Sequence, residues 1–465
     1  MTGLSVEPTP IPGLLVVTLP VHRDDRGWFK ENWQREKMVA LGLPDFGPVQ
    51  NNMSFNARRG ATRGIHAEPW DKFVSVATGR VFAAWVDLRE GATFGATFSV
   101  ELGPETAVFV PRGVGNAYQA LEDGTLYSYL VNDHWRPGLP YTAVHLADET
   151  AAIAWPIPLD SAGVEVSEKD RTNPRLAEVE PVPPRRTLVL GGHGQLGREL
   201  SRVFPDAEVI DHAHLDLTDP DALAKWPWHG YDVILNAAAY TAVDRAETPE
   251  GRRDCWAANA GVPAALARIA DRHGITLVHY STDYVFDGTE TPGGHTEDDP
   301  MAPLGVYGQA KAAGDLAVTG ADRHYVLRTS WVIGEGNNFV RTMRRLAADG
   351  VSPSVVCDQV GRLTFTTELA RATRHLLAAK APYGVYNVTN AGDHQSWADV
   401  AAEVFELSGR DAADVTPVTT EEYEAGRTGI APRPRFSVLS LDRIRATGFV
   451  PTDATEALKA YLSDE

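Results

Sequence analysis

Thr187-Leu188-Val189-Leu190-Gly191-Gly192-His193-Gly194-Gln195-Leu196-Gly197 is an apolar run that breaks directly into glycines and then into a helical pattern. Glycines at these positions let backbone amides approach a pyrophosphate, and a helix opening at about Gln195 adds the partial positive charge of its N-terminus. Glycine-rich turns also serve as plain connectors, so the triplet takes its meaning from the order strand, turn, helix. That order repeats downstream, with apolar runs at 233–235, 276–280 and 325–328 separated by helical stretches at 252–273 and from about Val306. Such alternation predicts a mostly parallel sheet with right-handed crossovers, an α/β Rossmann domain. Shorter runs of both kinds from 353 to 462 predict a smaller, substrate-facing subdomain.

Upstream of the glycines the text changes. Ala177-Glu178-Val179-Glu180-Pro181-Val182-Pro183-Pro184-Arg185 is stiffened by proline and has little to bury, which predicts a linker over 178–185 between domains at 1–177 and 186–465. Before it come short apolar or alternating runs at 14–21, 73–77, 80–88, 93–102, 107–110 and 126–131, separated by turn residues. This is the pattern of an all-β sandwich or barrel, with no helix of comparable length expected. Ala77-Thr78-Gly79-Arg80 predicts a hairpin turn, with Phe82, Ala84, Val86 and Leu88 sharing one face.

Composition narrows the function classes. A chain of 465 residues can hold two to four domains, and 43% hydrophobic with 23% charged residues is ordinary for a globular enzyme. A formal charge of −19 argues against nucleic acid or an anionic membrane as partner, while leaving an anionic small substrate open if Arg and Lys cluster locally. Only Cys255 and Cys357 are present, so no disulfide framework is expected and a reducing cytoplasm fits. No apolar stretch approaches a membrane span and the first residues lack a signal-peptide pattern.

Tyr307 and Lys311 are four apart, which on a helix places them on one face. The ammonium can then lower the phenol's pKa and contact a cofactor ribose, making Tyr307 a proton donor to a carbonyl under reduction. Thr282, at the end of the 276–280 run, would polarise that carbonyl. Such pairs arise often by chance, and it is the glycine fingerprint upstream that lends this one weight. Asp211 lies 20 residues beyond Gly191, where an acid can accept from the adenine ribose and disfavour a 2′-phosphate, or simply be an exposed loop acid.

Asn236-Ala237-Ala238-Ala239-Tyr240-Thr241-Ala242-Val243-Asp244, Tyr280-Ser281-Thr282-Asp283-Tyr284-Val285-Phe286, Val306-Tyr307-Gly308-Gln309-Ala310-Lys311, Arg328-Thr329-Ser330-Trp331-Val332 and Gly336-Asn337-Asn338-Phe339 closely resemble dTDP-4-dehydrorhamnose reductase, an extended short-chain dehydrogenase. The resemblance implies catalytic Thr282, Tyr307 and Lys311. It also implies Asp283, Tyr284, Trp331 and Asn338 near the sugar nucleotide, and NADPH or NADH held by Gly191, Gly194, Gln195, Leu196, Gly197, Asp211, Asn236, Ala237 and Ala238. Some such reductases bind magnesium at a subunit interface; only Glu199 matches a ligand, and no metal is assigned.

In the first half, a small β-barrel with one inward His suggests a cupin-like jelly roll, but the usual metal set of two close histidines with a carboxylate is missing, so no metal is expected there. A lone His on an apolar strand is most often a core residue, and a lone Asp most often a cap. Asp25-Arg26-Gly27-Trp28-Phe29-Lys30-Glu31, Gln50-Asn51-Asn52, Arg63-Gly64-Ile65-His66, Lys72, Val108-Phe109-Val110-Pro111-Arg112-Gly113, Tyr129 and Ser167-Glu168-Lys169-Asp170 resemble dTDP-4-dehydrorhamnose 3,5-epimerase. The resemblance implies proton removal beside the C4 ketone, with His66 oriented by Asp170 as base, Tyr129 as opposing acid and Lys72 as enolate stabiliser. Arg26, Glu31, Gln50, Asn52 and Arg63 would hold sugar and diphosphate, and a homodimer is implied. Asn116 stands where the family usually has a second His, and His134 and Trp135 replace paired tyrosines that would stack on thymine.

Together the halves imply one enzyme that epimerises a dTDP-4-keto-6-deoxy-sugar and reduces it to dTDP-L-rhamnose. The rivals are the same chemistry giving another product, such as dTDP-6-deoxy-L-talose, and a noncatalytic nucleotide-sensing scaffold, against which intact Thr282, Tyr307 and Lys311 weigh.

Overall fold

The computed structural model describes residues 3–135, 138 and 141–463. Contacts within the chain divide it into two units, Met1–Arg185 and Arg186–Glu465.

The first unit is built of antiparallel strands in two main sheets, a jelly roll. Its strands are β1 (Ser5–Pro8), β2 (Leu15–Thr18), β3 (His22–Asp24), β4 (Gly27–Phe29), β5 (Gln50–Asn56), β6 (Thr62–Ala67) and β7 (Lys72–Thr78). They continue with β8 (Val81–Asp87), β9 (Thr97–Leu102), β10 (Thr106–Val110), β11 (Val114–Ala120), β12 (Thr125–Val131) and β13 (Thr142–Ala143). One sheet runs β1-β2-β10-β7-β12-β5 and the other β13-β6-β11-β8-β9. The two sheets close on Ile11, Leu14, Val74, Val76, Trp85, Val108, Tyr118 and Tyr127, all buried. Trp85 is fully buried in this layer, and truncating it to Ala should cost about 3–5 kcal/mol. Short helices α1 (Arg35–Ala40) and α2 (Glu168–Arg171) lie outside the sheets, and Ser167 caps α2 by accepting from the Asp170 amide at 3.1 Å.

The expected hairpin at Gly79 is not one. β7 pairs with β10 and β12, whereas β8 pairs with β9 and β11, so the turn carries the chain from one sheet to the other. The alternation misled because β8 is buried on both faces. Val81, Ala83 and Trp85 fill the core between the sheets, while Val86 and Leu88 pack outward against Ile65, Ala117, Leu146 and Leu176. A covered outer face removes the polar residues that would mark it.

Val182 in the proline-rich connector docks on the first unit: its amide donates to Leu88 O at 2.7 Å and its carbonyl accepts from the Glu90 amide at 2.9 Å. The backbone free for cutting therefore starts after Val182. We expect cleavage at an engineered site between Pro184 and Arg186 to leave two folded pieces; aggregation of both on a sizing column would show a shared core.

The second unit is a six-stranded parallel sheet. It holds β14 (Arg186–Leu190), α3 (Gln195–Val203), β15 (Glu208–Ile210), α4 (Pro220–Lys225), β16 (Tyr231–Asn236), α5 (Pro249–Trp256), α6 (Val262–His273), β17 (Thr276–Thr282), α7 (Val306–Val318) and β18 (His324–Thr329). The order is β15-β14-β16-β17-β18, completed by the strand Gly384–Asn387. Helices cover both faces, with Leu266, Ala270 and Val318 on one and Leu200, Leu369 and Leu376 on the other. The segment from 353 onward thus does two things. Gly384–Asn387 and the helix Thr366–Ala378 rejoin the main sheet, while Val355, Val400, Val404, Phe405 and Leu458 form a separate small core with Val340 and Met343. The helix expected over 252–273 is also broken, by a π-helical turn at Ala257–Gly261 that joins α5 to α6.

Candidate active sites

In the first unit a cavity of about 490 Å³ opens between the sheets, lined by Arg63, His66, Glu68, Lys72, Asn116, Tyr118, Tyr127, Tyr129, Lys169 and Asp170. β6 presents His66, and α2 brings Asp170 to it from 104 residues away, with a ring nitrogen 2.7 Å from the carboxylate. Burial works to raise the Asp170 carboxyl, but the hydrogen bond and charge of His66, with Ser167 and the Gly64 amide, hold it below its ordinary value. An ionised partner fixes the imidazole and leaves its other nitrogen for the cavity. The Tyr129 phenol is raised chiefly by burial, then by Tyr118, with Arg63 opposing, so it keeps its proton at neutral pH. Asn116 faces His66 across the β6–β11 ladder and accepts from the buried Tyr127 hydroxyl at 3.1 Å. Burial pushes Lys72, only 3% exposed, down to about 7, while the carboxylate of Glu68 lies against its Nζ.

In the second unit the glycine turn is sterically required. Gly191 adopts φ +78°, and a Cβ on Gly197 would lie 2.2 Å from Gly191 O. The cradle continues into a cleft of about 360 Å³ lined by Gly191, Gly194, Asp211, His212, Leu217, Ala237 and Ala238, which fits the adenosine half of a dinucleotide. Gln195 and Leu196 open α3, Gln195 reaching Asn337 O at 3.4 Å and Leu196 packing on the sheet core. Asp211 sits between two imidazoles, 2.8 Å from His193 and 2.7 Å from His214, and the hydrogen bond from His214 leads in holding its carboxyl low.

At the carboxyl end of β17, Thr282, Asp283 and Tyr284 meet Tyr307 and Lys311 of α7. The Thr282 hydroxyl donates to Asp283 at 2.9 Å, and the Tyr284 ring meets that of Tyr307 edge-on at 5.6 Å. Contrary to expectation, the Tyr307 phenol is pushed up, first by burial and then by Asp283, Tyr284 and Cys255, with the Thr282 hydroxyl opposing. Lys311 does not lower it because its ammonium is turned elsewhere, donating to Tyr280 O at 2.5 Å and lying 3.4 Å from the His279 ring. The other His279 nitrogen is 3.1 Å from the buried Asn236 amide, so Asn236 steadies the lysine's partner. Burial lowers Lys311 to about 8, with Asp315 and Cys255 opposing, so it is largely charged at neutral pH. Reduction is therefore expected to fall along an alkaline limb near pH 8, read from steady-state rates; a flat profile through pH 9 would remove the Lys311 charge from the reaction (about tenfold per unit is expected). Burial also raises Asp283 to about 6. Its folded value exceeds the ordinary 3.8, so its contribution to stability is present at low pH and is lost as pH rises through about 6.

Family models match both halves: dTDP-4-dehydrorhamnose 3,5-epimerase over residues 8–178 and the RmlD substrate binding domain over 185–465. The first half is 48% identical over 182 residues to the RmlC homolog of Streptococcus pyogenes serotype M6, covering 38% of this chain and 90% of that protein. The chain belongs to the dTDP-4-dehydrorhamnose reductase family, with an epimerase domain of the dTDP-4-dehydrorhamnose 3,5-epimerase family at its N-terminal end. A solved structure of the Bacillus anthracis dTDP-4-dehydrorhamnose reductase in complex with NADP is 31% identical and covers 61% of this chain and 100% of that one, with a TM-score of 0.56. The probable dTDP-4,6-dihydroxy-2-methyloxan-3-one 4-ketoreductase of Streptomyces antibioticus is 42% identical over 293 residues, covering 60% of this chain and 95% of that protein. The chain is an enzyme with an isomerase domain and an oxidoreductase domain of dTDP-rhamnose biosynthesis. No helix among the described residues is long and apolar enough to cross a membrane.

Several expected ligands of the epimerase domain stand away from its cavity. Arg26 is on the exposed β3–β4 hairpin, paired with Asp24 at 2.5 Å, and Glu31 pairs with Lys37 at 2.7 Å. Gln50 and Asn52 bond each other at 2.8 Å on the edge strand β5, where the Gln50 side-chain oxygen Oε1 also accepts from the Trp135 amide. His134 and the exposed Trp135 follow β12 and do not line the cavity either. In the reductase domain Asn338 is committed to the protein: it caps the helix Phe339–Ala348 and donates to Gly334 O at 2.7 Å and to Tyr461 at 2.9 Å. Trp331 holds a positive φ of 46° and stacks on Trp397 at 3.7 Å. Glu199 pairs with Arg202 at 2.9 Å, and among the described residues no group of three or more His, Cys, Asp or Glu could hold a metal ion.

Sequence reasoning missed other groups. Glu68, Tyr118, Tyr127 and Lys169 line the epimerase cavity. A further cavity of about 860 Å³ in the reductase domain joins Tyr284 to Phe339, Trp397, Tyr423, Arg427 and Arg433. The pair Arg427 and Arg433 in an otherwise acidic chain was the available signal.

Proposed function

We propose that this chain converts dTDP-4-dehydro-6-deoxy-D-glucose to dTDP-L-rhamnose in two steps, 3,5-epimerisation and then reduction of the C4 ketone with NADPH or NADH. The observation that carries this reading is the His66–Asp170 dyad facing Tyr129 in a cavity that also holds Lys72. His66 takes the proton beside the ketone, Lys72 steadies the enolate and Tyr129 returns a proton from the other side, so inversion follows from a base and an acid on opposite walls. Arg63 faces the diphosphate.

The epimerised ketone is then consumed at the second site. The Gly191–Gly197 turn would hold a nicotinamide cofactor, which when bound would supply the hydride. Tyr307, kept protonated by burial, gives the alkoxide its proton and Thr282 bonds the ketone oxygen, while the Lys311 ammonium, held on Tyr280 O beside His279, supplies positive charge to the site. The cavity beneath Tyr284 takes the nucleotide end, with Arg427 and Arg433 for phosphate and Trp397, Phe339 and Tyr423 for the base. Supplied with the ketosugar and NADPH, the wild type should oxidise the cofactor and His66→Ala should not; undiminished oxidation in that variant would contradict obligatory epimerisation.

Two finer expectations accompany this reading. Asp211 repels a 2′-phosphate, so Asp211→Ala should shift kcat/KM toward NADPH by about tenfold relative to NADH; an unchanged ratio removes the residue from the cofactor site. The epimerase domain should dimerise through the β5 edge, where Met53 is 66% and Phe55 64% exposed. A second reading, in which the same two steps yield another dTDP-6-deoxyhexose, is favoured by the 42% identity to the Streptomyces antibioticus ketoreductase.

A further inference from the structure

One carboxylate in the epimerase cavity has no part in the reaction as written. Glu68 directly follows β6, its side chain 16% exposed, and its carboxylate touches Nζ of Lys72, whose own side chain is 4% exposed. The other charged or titratable groups facing this space are Arg63 and His66 from β6, Lys169 and Asp170 from α2, Glu165 just before it, and the phenols of Tyr118, Tyr127 and Tyr129. Most have partners of their own. Asp170 holds His66 at 2.7 Å, Arg63 bonds Asn56 at 3.3 Å, Lys169 bonds Tyr141 at 2.5 Å, and Tyr127 donates to Asn116 at 3.1 Å.

The consequence concerns charge. Burial pushes Lys72 down to about 7, where half the molecules would carry a neutral amine. A neutral amine offers an enolate a hydrogen bond without a positive charge, and charge-assisted bonds are about twice as strong as neutral ones. A carboxylate in contact favours the ammonium and also fixes where the stem points.

We propose that Glu68 is a positioning residue of the epimerase, directing Lys72 at the reacting ketone and favouring its ammonium against the pull of burial. This rests on the reading of Lys72 as the enolate stabiliser. Glu68 acts through Lys72 and does not exchange protons with the sugar.

The test is solvent-deuterium incorporation into dTDP-4-dehydro-6-deoxy-D-glucose by the full chain without cofactor, followed from about pH 6 to about pH 9, for wild type, Glu68→Gln and Glu68→Asp. The wild-type rate should fall above about pH 7 as Lys72 loses its proton. Glu68→Gln should come within a few-fold of wild type near pH 6 but show that fall displaced to lower pH, leaving it about tenfold slower above about pH 7, and Glu68→Asp should move the fall back toward the wild-type position. A Glu68→Gln profile parallel to wild type, whether superimposed or uniformly lowered, would overturn the proposal, as would an Asp variant no better than Gln on the alkaline side. Absence of exchange in wild type at every pH would instead overturn the reading of the cavity.

Discussion

Tyr307→Phe in the full-length chain is expected to cut ketone-dependent NAD(P)H oxidation by about 10²–10⁴-fold, the usual worth of a positioned general acid. Deuterium exchange into the ketosugar should be untouched. The phenol is half-buried, edge-on to Tyr284, and raised in pKa, so at neutral pH it carries the proton that the product alkoxide needs. Phe keeps the ring, its packing among Tyr240, Ala246, Cys255 and Ala310, and loses only the hydroxyl. The epimerase groups belong to the other unit of the chain, whose cavity and core are its own. Parallel loss of exchange in a variant with unchanged circular dichroism would sink the assignment of the two reactions to separate sites.

His66→Ala should abolish deuterium exchange at both C3 and C5, again by about 10²–10⁴-fold, while wild type exchanges both carbons despite Asn116. Asn116 lies opposite His66 in the ladder and accepts from the Tyr127 hydroxyl, so it organises the tyrosine wall of the cavity. A second base is not needed there if His66, fixed by Asp170, reaches both carbons in turn. Site-resolved NMR of the exchanged sugar decides: label at a single carbon in wild type would make the domain a single-site epimerase. Asn116→Ala should be milder, about 1–3 kcal/mol of stability from an unsatisfied buried Tyr127 hydroxyl.

The parallel sheet was legible because its strands are apolar on both faces and its helices are long; β14, β16, β17 and β18 fall within two residues of the expected runs. The cavity walls were harder to see. β5, β6 and β11 went unassigned because Ser54, Arg63, His66 and Asn116 put polar groups where strand patterning expects apolar ones. A strand that lines a binding cavity breaks the alternation that would reveal it. The Gly79 corner was mistaken for a hairpin for the opposite reason, β8 being covered on both sides. Motif matching named the groups that His66, Lys72 and Tyr307 belong to, but the direction of the Tyr307 shift depends on where the Lys311 ammonium points. His279 and Tyr280 O decide that, and no spacing rule encodes it.

A pH change offers a further view of the reductase half. Asp283, raised to about 6 by burial, shares its hydrogen bond with Thr282 beside the ketone site. The buried pair Arg328–Asp315, at 3.0 Å, underlies α7, and removing either partner should cost about 3–5 kcal/mol. Such variants would report on stability before chemistry, which separates them from Tyr307→Phe.

A chain that carries the ketosugar through both steps releases dTDP-L-rhamnose when given dTDP-4-dehydro-6-deoxy-D-glucose and NADPH, and NMR of the product decides whether it does. Run in heavy water, the reaction should leave solvent deuterium at C3 and C5 of that product. Recovery of a 4-hydroxy sugar with the starting configuration at C3 and C5, and no deuterium there, would contradict it.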